Sequence, residues 1–297
     1  MVFLAYRNFG GSYHHLGRET YLAPVEWKEG EWPVVNGGLP ADTLMKAKLL
    51  PGVPLEKHLE FIDSLRVITD KLYFLVKKEE NCMRVLVTGG AGYIGSHVCV
   101  ALAQAGERYV VVDNFSNSRP SVLERVGRIT GQTPQCEQGD VGDAAFMADV
   151  LARYPIEAVM HFAAFKAVGE SVAQPLRYYA NNVGNTIHLI EAMIEHGVQR
   201  LIFSSTAAIF GDPIRIPIDE AHPRQPVNPY GWSKSMVEQI LADCDCAHGL
   251  RSVALRYFNA AGADPSGEIG EDHTPETHLI PLVLDAALGK RPHITVF

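Results

Sequence analysis

Gly89, Gly92 and Gly95, within the run Val85-Leu-Val-Thr-Gly-Gly-Ala-Gly-Tyr-Ile-Gly95, are spaced as residues that cradle an anion would be. Glycine serves where the backbone turns with positive φ, and where no Cβ may separate backbone amides from a pyrophosphate. A helix that starts at such a loop adds unpaired N–H groups and a dipole favouring negative charge. Arg84 to Thr88 reads as a short buried strand and Ile94 to Gln104 as an amphipathic helix, so the loop has a strand–turn–helix setting. The spacing differs from G-x-G-x-x-G. Asp113, at the end of the next apolar strand, strengthens the reading. A carboxylate about 20 residues on accepts from a ribose 2′-OH and repels a 2′-phosphate. The expected cofactor is therefore NAD rather than NADP.

Tyr230-Gly-Trp-Ser-Lys234 forms a second group. Positions four apart share a helix face, so the Tyr230 phenol and the Lys234 ammonium can address one ligand. A phenol with an ordinary pKa of about 10 is a poor base at neutral pH. A neighbouring ammonium and an oxidised nicotinamide would both favour the phenolate. The pair then suits proton removal from a substrate hydroxyl during hydride transfer. Ser204-Ser205-Thr206 closes the strand expected beside the cofactor. Thr206 is the expected active hydroxyl, while Ser204 reads as a strand-end cap. Ser233 lacks the G-x-S-x-G elbow of a serine hydrolase.

These residues need a scaffold of alternating strands and helices, and the chain has one from Met83 onward. Strands are expected at Arg84–Thr88, Arg108–Asp113, Gln135–Gln138, Ala158–His161, Arg200–Ser205 and Ser252–Tyr257. Helices are expected at Ile94–Gln104, Ala144–Arg153, Leu176–His196 and Tyr230–Asp243. Short apolar strands separated by such helices predict an α/β fold with a doubly wound, Rossmann-like parallel sheet covered on both faces. The ligand should lie across the carboxyl ends of the strands. Residues 1–82 read instead as an irregular extension rich in turns, with a helix and a strand expected within Leu55 to Lys78. The domain boundaries expected are 1–82, 83–255 for NAD binding, and 256–297 for the start of a substrate domain.

A formal charge of −8 over 297 residues argues against a nucleic-acid surface, which needs a basic face. Five scattered cysteines fit a reducing compartment better than a disulfide scaffold. Cys244-Asp-Cys246-Ala-His248 reads as a polar helix end, and no metal site is expected. Neither a signal peptide nor a run of about 18 apolar residues is present, so a cytoplasmic location without membrane contact is expected.

Thr88-Gly-Gly-Ala-Gly-Tyr-Ile-Gly-Ser-His97, Val112-Asp-Asn114, Gly139-Asp-Val141, His161-Phe-Ala-Ala-Phe-Lys-Ala-Val-Gly-Glu-Ser171 and Arg256-Tyr-Phe-Asn259 together resemble the UDP-glucose 4-epimerases. These belong to the extended short-chain dehydrogenase/reductases. The resemblance runs from Met83 to Phe297. It implies that Gly89, Gly92, Gly95, Tyr93 and Ile94 hold the pyrophosphate, and Asp113 and Asn114 the adenosine ribose. It further implies that Asp140 and Val141 flank the adenine, and that Phe162, Ala163, Ala164 and Lys166 line the cofactor cleft. Asn181, Tyr230, Lys234 and Tyr257 would surround the nicotinamide, with Phe258 and Asn259 towards the sugar nucleotide. Ala163 and Ala164 could equally be close packing, and Asn181 could cap the following helix.

The activity implied is interconversion of UDP-glucose and UDP-galactose through a 4-keto sugar, with a homodimer as the implied assembly. Thr206 stands where many members carry Ser, and His278 where some carry Asn. The family extends beyond Ile294-Thr-Val-Phe297 with a uridine-binding segment, so a truncated substrate domain with weak NAD binding and little turnover is expected. A non-catalytic NAD-binding module is the rival from another class. A sugar-nucleotide dehydratase or decarboxylase is the rival within the fold, although Ala207-Ala208 lacks the acid those enzymes place after the Ser/Thr strand. Leu16-Gly-Arg-Glu-Thr-Tyr-Leu-Ala-Pro-Val-Glu-Trp27 with Trp32-Pro-Val-Val-Asn36 faintly resembles a fragment of a family 43 glycoside hydrolase, and is expected to be a non-catalytic remnant.

Overall fold

The computed structural model describes residues 84–294, apart from 220, 274, 275 and 277, and four two-residue strands nearer the N-terminus. The chain divides into two compact units, Tyr73–Glu276 and Met1–Leu72 with Thr277–Phe297. In the latter, β1 (Leu4–Ala5) pairs antiparallel with β2 (Glu19–Thr20), and β3 (Val25–Glu26) with β4 (Val34–Val35). A helix at Leu279–Ala287 belongs to the same unit. The expected helix and strand within Leu55 to Lys78 fall outside the described residues.

The larger unit is built on six parallel strands, β5 (Arg84–Thr88), β6 (Arg108–Asp113), β7 (Gln135–Gln138), β8 (Ala158–His161), β9 (Arg200–Thr206) and β10 (Arg251–Tyr257). Their order across the sheet is β10-β9-β8-β5-β6-β7. Strand addition reverses direction between β5 and β8, which opens a crevice above their carboxyl ends. Alternation along each strand sorts side chains into rows. Val110, Leu86, Val159 and Leu201 stand side by side on one face, and Val111, Val87, Met160 and Ile202 on the other. All eight are at most 5% exposed, so both faces are covered. That is why these strands read as continuous apolar runs.

Helices α1 (Tyr93–Gln104), α2 (Ser121–Thr130) and α3 (Ala144–Arg153) follow the first three strands of the sheet. α2 was not anticipated from the sequence. It buries only Leu123, Val126 and Gly127, and an internal glycine weakens a helical signal. Gly127 is there for packing, because a Cβ would come within 2.5 Å of the Thr133 hydroxyl.

After α4 (Val168–Ala173), which was not expected, the single helix expected over Leu176–His196 is instead α5 (Pro175–Tyr179), a π turn (Ala180–Gly184) and α6 (Asn185–Glu195). The widened turn carries Asn182, whose amide bonds both the N–H and the carbonyl of Phe165, at 2.9 Å each. Those tertiary bonds offset the poorer helical geometry. α7 (Pro229–His248) is longer than expected. Asn228 caps its start by accepting from Gly231 N at 2.8 Å, and Gly249 ends it in a left-handed turn.

The next row of the sheet holds Val112, Thr88, His161 and Phe203. His161 is 2% exposed. Its Nε2 bonds Thr186 Oγ1 at 2.9 Å, and that hydroxyl already donates to Asn182 O. Nε2 therefore carries the proton, and Nδ1 accepts from the Thr88 hydroxyl at 2.7 Å. Burial, reinforced by the charge of Lys234, brings the imidazole pKa down to about 3. The folded chain thus refuses a proton that the unfolded chain accepts near pH 6.5, so stability falls as pH drops from about 6.5 towards 3. The urea midpoint should decline between pH 7 and pH 5, and His161→Gln should narrow that decline while lowering the midpoint at pH 7. An equal decline in both proteins would show that other groups carry it.

Candidate active site

The three loop glycines are needed for three different reasons. Gly89 has φ +70°, and a Cβ on it would stand 2.7 Å from Ala163 N. Gly95 lies in the first turn of α1, where a Cβ would collide with Gly89 O. Gly92 is the N-cap, with ordinary extended backbone, and a Cβ would press on Gly89 O at 3.2 Å. Only the first has the positive φ expected from the sequence. The loop is thereby folded tightly under the start of α1, which has no side-chain cap and no acidic residue in its first turn. Such a helix end favours an anion. The lack of a side chain at Gly89, Gly92 and Gly95 beside it fits the pyrophosphate of a dinucleotide.

Asp113 is 7% exposed and serves the loop itself. Its Oδ2 accepts from Ala91 N at 2.9 Å, and its Oδ1 from Phe115 N and the Ser118 hydroxyl at 2.9 Å each. Phe115 takes φ 56°, a left-handed conformation unusual for a bulky residue, immediately after Asn114. Asn114 donates to Asp140 Oδ2 at 2.8 Å, while Asp140 Oδ1 accepts from Gly142 N at 2.8 Å and Asn185 Nδ2 at 3.2 Å. The two carboxylates at the ends of β6 and β7 are thus held by fixed donors.

A cleft over these strand ends is lined by Gly89, Gly92, Asp113, Asn114, Asp140, Val141, Phe162, Ala163, Ala164 and Asn181 among others. The structure therefore brings together ten of the residues singled out in the sequence. Ser116, Asn117 and Ser118 also line it and were missed. Their signal was a polar run directly after Asp113-Asn114. Asn181 is not the cap of a helix, since it lies inside the π turn and α6 begins after Gly184.

Tyr93 and Lys166 sit differently from expectation. The Tyr93 hydroxyl donates to Gly262 O at 2.8 Å, and Tyr93 lines a neighbouring cleft with Ser96 and Arg125. Lys166 Nζ pairs with His273 Nε2 at 2.7 Å. Crowding by the chain holds this ammonium below its usual value, although Glu271 and Glu276 pull the other way. Neither Lys166 nor Ile94 is among the residues lining the first cleft.

The second group gathers at the carboxyl ends of β9 and β10. Register places Tyr257 beside Thr206. Lys234 is 3% exposed, donates to Ser204 O at 2.8 Å, and stands 4.8 Å from the centre of the Phe203 ring. Burial brings its pKa down to about 7. Tyr230 meets the Thr206 hydroxyl. Burial raises the phenol above its ordinary value, and the Thr206 hydrogen bond lowers it in part. The sequence reading expected Lys234 to depress the phenol. Here the ammonium is engaged by a backbone carbonyl, and the hydroxyl does that work.

Thr206, not Ser204, is the strand-end cap, accepting from Ala208 N at 3.1 Å. Ser204 contributes its carbonyl instead. Tyr257 has a buried hydroxyl without a partner among the described residues, and burial raises its pKa. Phe258 and Asn259 follow it, the first of them 38% exposed.

Asn182, missed from sequence, joins the two groups. It is 2% exposed, clamps Phe165 of the cleft, and donates to Ser233 Oγ at 3.2 Å. Ser233 in turn donates to Tyr230 O at 2.7 Å. One phenol, one hydroxyl and one ammonium thus converge beyond a cleft shaped for a dinucleotide.

Similarity to known proteins agrees with this geometry. Residues 85–297 match the family described as NAD dependent epimerase/dehydratase. A UDP-glucose 4-epimerase of Halalkalibacterium halodurans is 48% identical over 215 residues, which is 72% of this chain and 62% of that protein. Its counterpart in Rhizobium leguminosarum bv. trifolii is 52% identical over 213 residues, 72% of this chain and 63% of that protein. A UDP-glucose-4-epimerase from Stenotrophomonas maltophila, solved with bound NAD and formylated UDP-arabinopyranose, superposes with a TM-score of 0.70 at 46% identity. That superposition covers 72% of this chain and 65% of the other. The chain spans just under two thirds of the length of these relatives. With the family match reaching from residue 85 to 297 and identities near one half, the chain belongs to the NAD dependent epimerase/dehydratase family.

Proposed function

We propose that the chain carries the NAD-binding and proton-transfer machinery of a UDP-glucose 4-epimerase, acting on UDP-glucose and UDP-galactose. The observation that carries this reading is the convergence of Tyr230, Thr206 and Lys234 at the end of β9, in a chain about half identical to such enzymes. The residues of the first cleft fit NAD: a glycine turn below an uncapped helix start for the pyrophosphate, and Asp113 and Asn114 for the ribose. When bound, NAD supplies a reversible acceptor for the hydride of the sugar C4. Tyr230 takes the proton of the sugar 4-OH and returns it after the 4-keto sugar has turned its opposite face. Thr206 donates to the phenolate, and Lys234 holds Ser204 O of the same strand end. A dehydratase or decarboxylase is less well supported, because Ala207 and Ala208 offer no acid after Thr206. The domain limits 83–255 and 256–297 remain our assignment.

We also propose a homodimer. Trp232 and Met236 on α7, Ile187 on α6, and Val172 and Leu176 beside α5 are 36–81% exposed. Exposed large apolar side chains of this kind favour a self-complementary contact.

Three measurements test these readings. In a chain lengthened to that of its relatives, Tyr230→Phe should leave NAD binding intact and lower epimerisation at least about 100-fold, and near-normal turnover would assign the proton to another group. Asp113→Ala should weaken NAD binding by roughly 1.5–3 kcal/mol and also lower the melting temperature without cofactor, since Ala91 and Phe115 lose their acceptor. Unchanged affinity by calorimetry would remove Asp113 from the ribose site. Sedimentation should give twice the monomer mass, falling to the monomer when Trp232 and Met236 are both replaced by Glu. A monomeric unaltered chain would end the dimer proposal.

A further inference from the structure

Tyr230, Lys234 and Glu238 are spaced by four residues and form one stripe on α7. This stripe meets three consecutive residues of β9. Tyr230 meets the Thr206 hydroxyl, Lys234 Nζ meets Ser204 O, and Glu238 Oε1 accepts from the Ser205 hydroxyl. Ser205 is thus bonded from between the two residues that engage the phenol and the ammonium. Glu238 has a side chain only 4% exposed. Arg256 of β10 holds it through two bonds, Nε to Oε1 at 3.0 Å and Nη2 to Oε2 at 2.7 Å. Arg224 adds a longer ion pair at 3.2 Å from a position 43% exposed.

A carboxylate buried this deeply is tolerated only with such partners. Burial works against its charge, but the bonds from Arg256 and Ser205 and the charges of Arg256 and Arg224 hold it below the usual carboxylate range. The Arg256 guanidinium also lies 5.3 Å from the centre of the Phe210 ring, in the 3₁₀ turn that follows Thr206. One carboxylate therefore fastens α7 to β9, to β10 and, through Arg256, to the turn behind the phenol.

We propose that Glu238 is a positioning residue for the Tyr230–Thr206–Lys234 group, setting the register of α7 on β9 through Ser205. Its kinetic consequence rests on the epimerase reading, whereas its geometric consequence does not. β9 is held in the sheet by β8 and β10, so loss of the Ser205 link loosens the middle of the α7 stripe from β9 rather than moving the strand. The Thr206–Tyr230 bond then lengthens and the phenol loses the hydroxyl that draws its pKa down. The other charged neighbour of this group, Lys234, would leave Ser204 O at the same time, and His161 stays neutral throughout.

The test is ¹³C-tyrosine NMR of the full chain, with Tyr230→Phe assigning the resonance. Ser205→Ala removes the link to β9 and leaves the Glu238–Arg256 pair in place, so the variant should fold. The Tyr230 titration is expected to move upward by about half to one pH unit, the scale of one neutral hydrogen bond. Glu238→Gln should move it in the same direction and lower kcat roughly tenfold, with KM for UDP-glucose changed less than about twofold. A Tyr230 titration unmoved in Ser205→Ala would overturn the proposal, as would a Glu238→Gln protein with a lowered melting temperature and an unaltered kcat and phenol titration. If the unaltered chain turns over UDP-glucose too slowly to compare, the kinetic arm moves to a chain lengthened to that of its relatives, and the phenol titration of this chain decides the role of Glu238.

Discussion

A lysine ammonium with 3% exposure is the most demanding group in the larger unit, and much of the site is arranged around it. Water is excluded from Lys234, so its charge has to be met by fixed dipoles. Ser204 O and the face of Phe203 meet it in part. They do not fully replace hydration, as the fall of its pKa to about 7 records. Burial, reinforced by the same charge, keeps His161 from protonating, so the imidazole is a neutral link between Thr88 and Thr186. The proton available in this part of the molecule therefore belongs to Lys234 and Tyr230, while His161 stays silent. A polar ligand with acceptor groups near Lys234 would restore what burial removes, which ties ligand binding to the protonation of the site.

The cleft over β6 and β7 is managed by the opposite sign. Asp113 is buried too, but it has three donors from its own neighbourhood and organises the glycine loop before any ribose arrives. Preorganisation of this kind lowers the ordering cost that a ligand must meet. Asn182 connects the two regions through Phe165 on one side and Ser233 on the other. Its place in a π turn explains why the helix there is interrupted. The loop behind β8 and the first turn of α7 are fixed to the same amide.

How far the sequence reveals this depends on the range of the interaction. All six strands of the sheet are legible, with β9 extending one residue further and β10 beginning one residue earlier than expected. Burial on both faces writes a continuous apolar run, and that signal is local. The glycine loop, Asp113 and the Tyr230–Lys234 pair are legible for the same reason, since each is a short pattern beside a recognisable element. α2 is not, because its apolar face is small and Gly127 answers to Thr133 rather than to helix propensity. Asn182 and Glu238 are not, because their partners lie 51 and 33 residues away in the cases of Ser233 and Ser205. A polar residue acquires such a role only when the fold brings its partners to it.

The residues that could do chemistry are therefore held by groups that could not be chosen from sequence. Thr206 illustrates the point. Its hydroxyl accepts from Ala208 N, which fixes the rotamer, and so its single proton is free to be given to Tyr230. A strand-end cap and an active hydroxyl are usually rival readings of one residue. Here one residue serves both, because a hydroxyl carries two acceptor lone pairs and one proton, and accepting from Ala208 N leaves that proton available. The same economy holds at Ser233, which accepts from Asn182 and donates to the Tyr230 carbonyl. Ser233 and Thr206 thus each have a fixed backbone partner beside the phenol, whereas the buried Tyr257 hydroxyl has none among the described residues.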